Sequence, residues 1–133
     1  MSSPPPQRHP CPPGACDCGR EQLADASPVA QRILLLTRQE EKRLLERLEN
    51  LRDLEDLQRL QSRLYEQLGI RVHITPGYNE VRTMRGIVIE LEQQTGLCRK
   101  TRQSIPAAIR RGLERNPQVA FRLLDAHDLL RDA

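Results

Sequence analysis

The spacing of the leucines constrains this chain more than any other feature. From Leu44 to Leu68 they recur every three or four residues, at 44, 48, 51, 54, 57, 60, 64 and 68. The run 51, 54, 57, 60 advances by threes. In a helix, a step of three slips about 60° backwards, so one straight helix cannot keep all of these on one face. The pattern predicts two helices with a break at residues 50–53, where Asn50 and Asp53 can cap. The first has Leu44, Leu48 and Leu51 as its core face, with Leu45 beside it. The second carries Leu54, Leu57, Leu60, Leu64, Tyr65 and Leu68, and Gly69 stops it. A continuous coiled-coil helix is the competing reading, but the repeat is too irregular for a heptad seam.

The flanks supply further helix signals. Ser27 followed by Pro28 reads as a cap and a first-turn proline, with Val29, Ala30, Ile33 and Leu36 at helical spacing. Thr37 with Glu40 is a capping box. Ser104 can cap a helix holding Ile105, Pro106, Ala108, Ile109 and Leu113. Asn116 and Pro117 repeat the cap-plus-proline signal before Val119, Leu123, Ala126 and Leu130. One region is ambiguous. Ile70, Val72 and Ile74 alternate with polar residues as a strand does, and turn residues follow at 76–79. The stretch beyond is either the second strand of a hairpin, through Ile87, Val88 and Ile89, or a helix over 79–95. In the helix, Val81, Met84, Val88 and Leu91 share a face, and this is the preferred reading.

The expected fold class is therefore all-α: a compact bundle of about five to six short helices, with a short strand or hairpin near 70–89 as the variant. With three aromatic residues (Tyr65, Tyr78 and Phe121) in 133, the core must be built from Leu, Ile, Val and Ala. The same scarcity argues against a base-stacking platform. The longest apolar run, residues 33–36, is too short to cross a bilayer. No apolar signal segment opens the chain, so the expected compartment is the cytoplasm, without membrane contact.

Residues 1–22 differ from the single helical domain expected over 23–133. Six of the ten prolines lie here, joined by Gly14 and Gly19, so neither a helix nor a central strand can propagate. Alone, this arm would be extended and poorly ordered. Yet it holds Cys11, Cys16 and Cys18, and a loose tail has no packing reason to carry three thiols. Thiolates are soft ligands for zinc or an iron–sulfur cluster. His9 is the local candidate for a fourth ligand, and Cys98 is the distant one that would pin the arm to the body. The spacing matches neither the common zinc knuckles nor the ferredoxins, so zinc, a cluster and a redox-sensing thiol set all stay open. A Cys11–Cys16 disulfide is a further alternative under oxidation. Cys98 itself is flanked by Arg99, Lys100 and Arg102, which favour a thiolate, although a lone cysteine beside Leu97 also suits a buried apolar site.

Charge is uneven along the chain. Overall, 21 basic and 18 acidic residues give +3, but residues 69–133 hold eleven basic against seven acidic groups. Arg99, Lys100, Arg102, Arg110, Arg111 and Arg115 fall within 17 residues. Such a cluster suits phosphates or an acidic protein partner. Residues 89–105 also imitate a helix-turn-helix around Gly96 and Leu97. The imitation is poor, because Arg102 falls where an apolar residue belongs and Pro106 disturbs the end. His73 reads as solvated, and His127 lies at the boundary of an apolar stripe. No glycine pattern makes a phosphate loop. The reading is a small regulatory or adaptor protein that binds a protein partner and carries a metal-binding or redox-sensing arm. A nucleic-acid-binding regulator comes second and a small enzyme last. A homodimer would follow if the leucine stripe or an unpaired strand at 70–75 sought a second copy.

Overall fold

Asp53 decides where the leucine run turns. Its backbone is extended, and its Oδ1 accepts the N–H of Asp56 at 2.7 Å, opening a new helix. Asp56 then fastens the corner from inside. Its carboxylate accepts the Arg52 N–H at 3.0 Å and pairs with the guanidinium of Arg47 on the preceding helix. Burial pushes this carboxyl up, but Arg47 and the Arg52 amide outweigh burial and hold it below the usual aspartate range.

The computed structural model describes residues 7–9, 11, 16–76 and 86–132, the side chains of 76 and 127–132 excepted. Two 3₁₀ helices, Arg20–Leu23 and Ala30–Leu35, lead into α1 (Arg38–Glu49) and α2 (Leu54–Leu68). Strands β1 (Val72–Pro76) and β2 (Ile87–Leu91) follow, then α3 (Arg99–Arg115) and α4 (Pro117–Asp132). The protein is thus mostly helical with a small two-stranded antiparallel sheet. Helix α3 packs against α1, α4 and β2, while α2 lies on the second 3₁₀ helix and α4. Ile33, Leu48, Leu57, Ile105, Ile109 and Leu113 are fully buried among these elements, each worth about 2 kcal/mol of transfer free energy.

The break at 50–53 stands as expected, and α2 buries Leu54, Leu57, Leu60, Leu64 and Leu68. Tyr65 does not join them. At the edge of the stripe, its ring is 45% exposed, with the Arg71 guanidinium 5.0 Å from its centre. Gly69, at φ +75°, ends the helix and donates to Tyr65 O at 2.8 Å. Only half of the Thr37 capping box forms. Thr37 Oγ1 accepts the Glu40 N–H at 3.2 Å, but the Glu40 carboxylate turns to Arg43.

Four expectations need correcting. Ser27 Oγ accepts the Ala30 N–H at 3.2 Å, yet the helix that follows is 3₁₀ rather than α and has Val29, not Ser27, as its N-cap. Three residues per turn align Ala30, Ile33 and Leu36 and throw Val29 out to solvent. The helix over 79–95 is not formed, although 77–85 lie outside the described residues. Ile87–Leu91 is a strand paired with β1 in the register Ile74↔Ile89 and Pro76↔Ile87. Ile74, Ile87 and Ile89 point inwards and Val88 outwards, so period two wins here over the helical stripe. The strand at 70–75 therefore has its partner within the chain, and the case for association on an open strand falls with it. Finally, Ser104 caps nothing. Helix α3 begins at Arg99 with Cys98 as its N-cap, and Ser104 Oγ donates to Thr101 O and to Glu41 Oε1, both at 3.2 Å.

Pro106 sits inside α3 and withholds the amide that Arg102 O would otherwise accept. The helix persists because Thr101, Ile105, Ala108, Ile109, Gly112 and Leu113 bury one face on both sides of the proline. At Gly112, α1 and α3 approach so closely that a Cβ would collide with the carbonyl oxygen of Leu48. Asn116 closes α3 and sends its Nδ2 to Leu51 O and Arg52 O, tying the start of α4 to the α1–α2 corner. Val119, Ala120, Leu123 and Leu124 bury one side of α4. Ala126 is half-buried, and Leu130 lies outside the described side chains.

Candidate metal centre

Local backbone rules bring two distant segments together. Gly19, at φ +75°, turns the chain out of the cysteine arm into the first 3₁₀ helix, whose Leu23 is buried. Just before it, Cys18 O accepts the N–H of Gly96 at 2.7 Å. Gly96 has φ +88°, and a Cβ there would lie 2.6 Å from Leu23 Cδ1 and 2.7 Å from Ile33 Cγ2. Only glycine meets both demands at this junction. Leu97 is then buried, and Cys98 takes the extended conformation of an N-cap, its carbonyl accepting the Arg102 N–H at 2.9 Å. Its side chain makes no capping bond, leaving the sulfur turned to other partners. On the arm, the Arg8 N–H donates to Leu34 O at 2.7 Å, and the Arg20 guanidinium donates to Arg8 O.

The result is a cluster of all four cysteines. The sulfurs of Cys11, Cys16, Cys18 and Cys98 lie within 4.8 Å of one another, with Cys11 and Cys98 at 3.6 Å. Every cysteine is free and half-buried. A disulfide would put two sulfurs about 2 Å apart, so the proposed Cys11–Cys16 bridge is absent. Four thiolates around one tetrahedral zinc, with bonds of about 2.3 Å, stand about 3.8 Å from one another. The cluster is thus compatible with a metal site. His9 does not belong to it, and its side chain is exposed. The distant candidate, Cys98, completes the set.

Crowding governs the protons of these thiols. Burial pushes Cys98 well up, reinforced by the Cys11 sulfur, with the Arg8 charge acting against both. Burial also raises Cys11. At Cys16 burial acts in the same sense, but the Cys18 amide and the neighbouring thiols outweigh it and the thiol is lowered. The charges flanking Cys98 in sequence therefore do not by themselves make it a free thiolate. Cys11, Cys16 and Cys98 line one end of an open cleft of about 1530 Å³ between α1 and the start of α3. Glu41, Lys42, Arg99 and Lys100 share that lining.

The six basic residues of 99–115 all fall on α3 but separate in their partners. Arg110 donates to Ile87 O at 2.6 Å, and Arg111 and Arg115 lie 2.6 and 3.9 Å from the Glu49 carboxylate. Arg99 and Lys100 are exposed at the cleft, and Arg102 is half-buried. The helix-turn-helix is not built, because its first helix is replaced by β2 and the irregular segment after it. His73 is exposed as expected, with its Nε2 2.8 Å from Glu92 Oε1. The His127 side chain lies outside the described residues. Two functional positions escaped the sequence reading. Gly96 was legible as a turn residue but not as the seat of the arm, and Arg8 carried no motif at all.

Comparison with models of known protein families, with curated proteins and with solved structures gives no match. The chemistry of the site therefore has to carry the functional reading.

Proposed function

We propose that this protein is a small zinc-binding adaptor. Cys11, Cys16, Cys18 and Cys98 hold one zinc ion, which locks the proline-rich arm onto the helical body. The surface so completed, with Arg99 and Lys100 at the cleft, docks an acidic protein partner. One observation carries the metal reading: four free sulfurs from segments 87 residues apart converge within 4.8 Å. Their closeness favours a single ion over a cluster, because a cluster divides its thiolates among two or more irons and spreads them wider. Four protein thiolates also fill a tetrahedral shell, which suits a structural role over a catalytic one.

The test is elemental analysis and an absorption spectrum of anaerobically purified protein, beside a Cys16→Ser, Cys18→Ser control. One zinc per chain, lost in the control, is the expected result. Iron with visible sulfur-to-iron absorption would replace the adaptor with a cluster-based sensor. No metal, with all four thiols freely alkylated, would sink both. The nucleic-acid reading has Arg99, Lys100 and Arg102 in its favour, since no hydrogen bond from their side chains is seen among the described residues. Binding to duplex DNA that weakens steeply with salt, and is lost when these three charges are reversed, would favour it. Salt-insensitive binding to one acidic protein would favour the adaptor.

A further inference from the structure

Arg8 brings a permanent positive charge to the edge of the sulfur cluster. Its Nη2 lies 3.9 Å from Cys18 Sγ. Its Nε and Nη1 are closed to solvent and, among the described residues, have no hydrogen-bond partner. A guanidinium stays protonated at any working pH, so these two N–H groups cannot shed their demand for an acceptor. Leaving such donors dry costs stability. Among the described residues, the one donor that meets a sulfur is Nη2, and a neutral Cys18 thiol would serve it poorly, because sulfur in a thiol is a weak acceptor. A thiolate there accepts from Nη2 and balances the guanidinium charge, and four thiolates on one divalent ion carry a net charge of about −2.

We infer that Arg8 is a positioning residue of the centre, placing its Nη2 donor and one compensating charge against Cys18 Sγ so that the arm can keep an anionic metal site half-buried. This rests on the zinc reading and adds a residue outside the ligand set. Buried charge is tolerated where an opposite charge stands beside it, and ligand sulfurs bonded by outer-shell donors hold their metal in a fixed orientation. The backbone of Arg8 is held separately, through Leu34 O and the Arg20 guanidinium. A side-chain substitution therefore tests the guanidinium with the main-chain anchors of the arm left in place.

The experiment compares the full chain with Arg8→Gln and Arg8→Lys. Zinc affinity is measured by competition with a chromophoric chelator, and the sulfur-to-metal charge-transfer band is recorded after loading with Co²⁺. Arg8→Gln should bind zinc about 10- to 100-fold more weakly. Its cobalt band should move to longer wavelength, because thiolates without the donor give up electrons more readily. Arg8→Lys, which restores the charge, should recover most of the affinity. Wild-type affinity and an unmoved band in Arg8→Gln would overturn the inference and leave the zinc site standing. So would a lysine variant as weak as the glutamine one with the band unmoved, since Arg8 would then act only by its shape. A wild-type chain that takes up neither metal would overturn the zinc reading, and the inference with it.

Discussion

The body and the arm are held by different forces. Helices α1 to α4 and the hairpin close over a continuous core of leucine, isoleucine, valine and alanine, in which several side chains have no exposed surface at all. Between residues 7 and 18, by contrast, the described attachments are polar. They comprise the Arg8 amide on Leu34, the Cys18 carbonyl on Gly96, the Arg20 guanidinium and four sulfurs. Burial alone can hold the first region. On the zinc reading the metal joins the sulfurs of the second, where hydrogen bonds exchanged with water contribute only about 1 kcal/mol each. The difference teaches where each kind of damage should be felt.

Metal removal should separate the two regions most sharply. With a chelator in excess, or with Cys98→Ser, limited proteolysis should cut within residues 7–18 while far-UV circular dichroism keeps the signal of α1 to α4. On the zinc reading, a structural zinc contributes on the order of 10 kcal/mol to the segment that it organises. An arm that stays protected without metal would erase the distinction. The converse case is Gly112→Ala, which drives a methyl into the Leu48 carbonyl and should cost the body about 3 kcal/mol. Its denaturant midpoint should fall while zinc affinity in the folded state stays put. Equal stability would mean that α1 and α3 part with ease.

Smaller effects should sharpen the contrast at the α1–α2 corner. Asp56→Asn removes the charge that answers Arg47 and weakens the acceptor for the Arg52 amide, at a cost of about 2 kcal/mol. Urea unfolding measures it, and a variant as stable as the parent would show the pair to be dispensable. The smallest effect lies on the surface, where Arg122 lies against Glu55 through both carboxylate oxygens. The Arg122 hydrogen bond, with backbone help, holds the Glu55 carboxyl down to about 2 from its ordinary 4.5. Between these values the unfolded chain binds more protons, so stability rises with pH. The contribution is complete above about pH 4.5 and is lost as pH falls through 2. Glu55→Gln should therefore flatten part of the decline in melting temperature over that window. Both partners are about half-exposed, so the change should be slight. An unaltered slope would remove Glu55 from the account.

The fold was legible where the rival pattern was weak. The leucine steps of three fitted a single coiled-coil helix poorly, and the capping residues Asn50 and Asp53 placed the break before Leu54. At 87–91 two periodicities coexisted, since Val88 and Leu91 suit a helical stripe as well as Ile87 and Ile89 suit a strand. Only the presence of Ile74 across the sheet decides between them, and that is a tertiary fact. Similarly, Ser27 announced a helical turn, but whether it wound with three or 3.6 residues depended on which side chains the core would accept. For the site, soft ligands in a proline-rich arm were visible from composition. The choice of Cys98 over His9 was not, because it turns on the path of the chain through Gly96. Arg8 was invisible for the same reason, being an ordinary surface residue until burial isolates its nitrogens.

The separation of Cys11 from Cys98 also gives the centre a direction in time. During synthesis the three arm thiols emerge long before the fourth, and a metal ion met early would find a three-sulfur site with one position open to whatever is in solution. Closure waits for the hairpin to form and for Gly96 to seat against Leu23 and Ile33. On the zinc reading, the filled four-sulfur site is therefore a certificate of completed synthesis, issued only to a chain whose first hundred residues have already found their places.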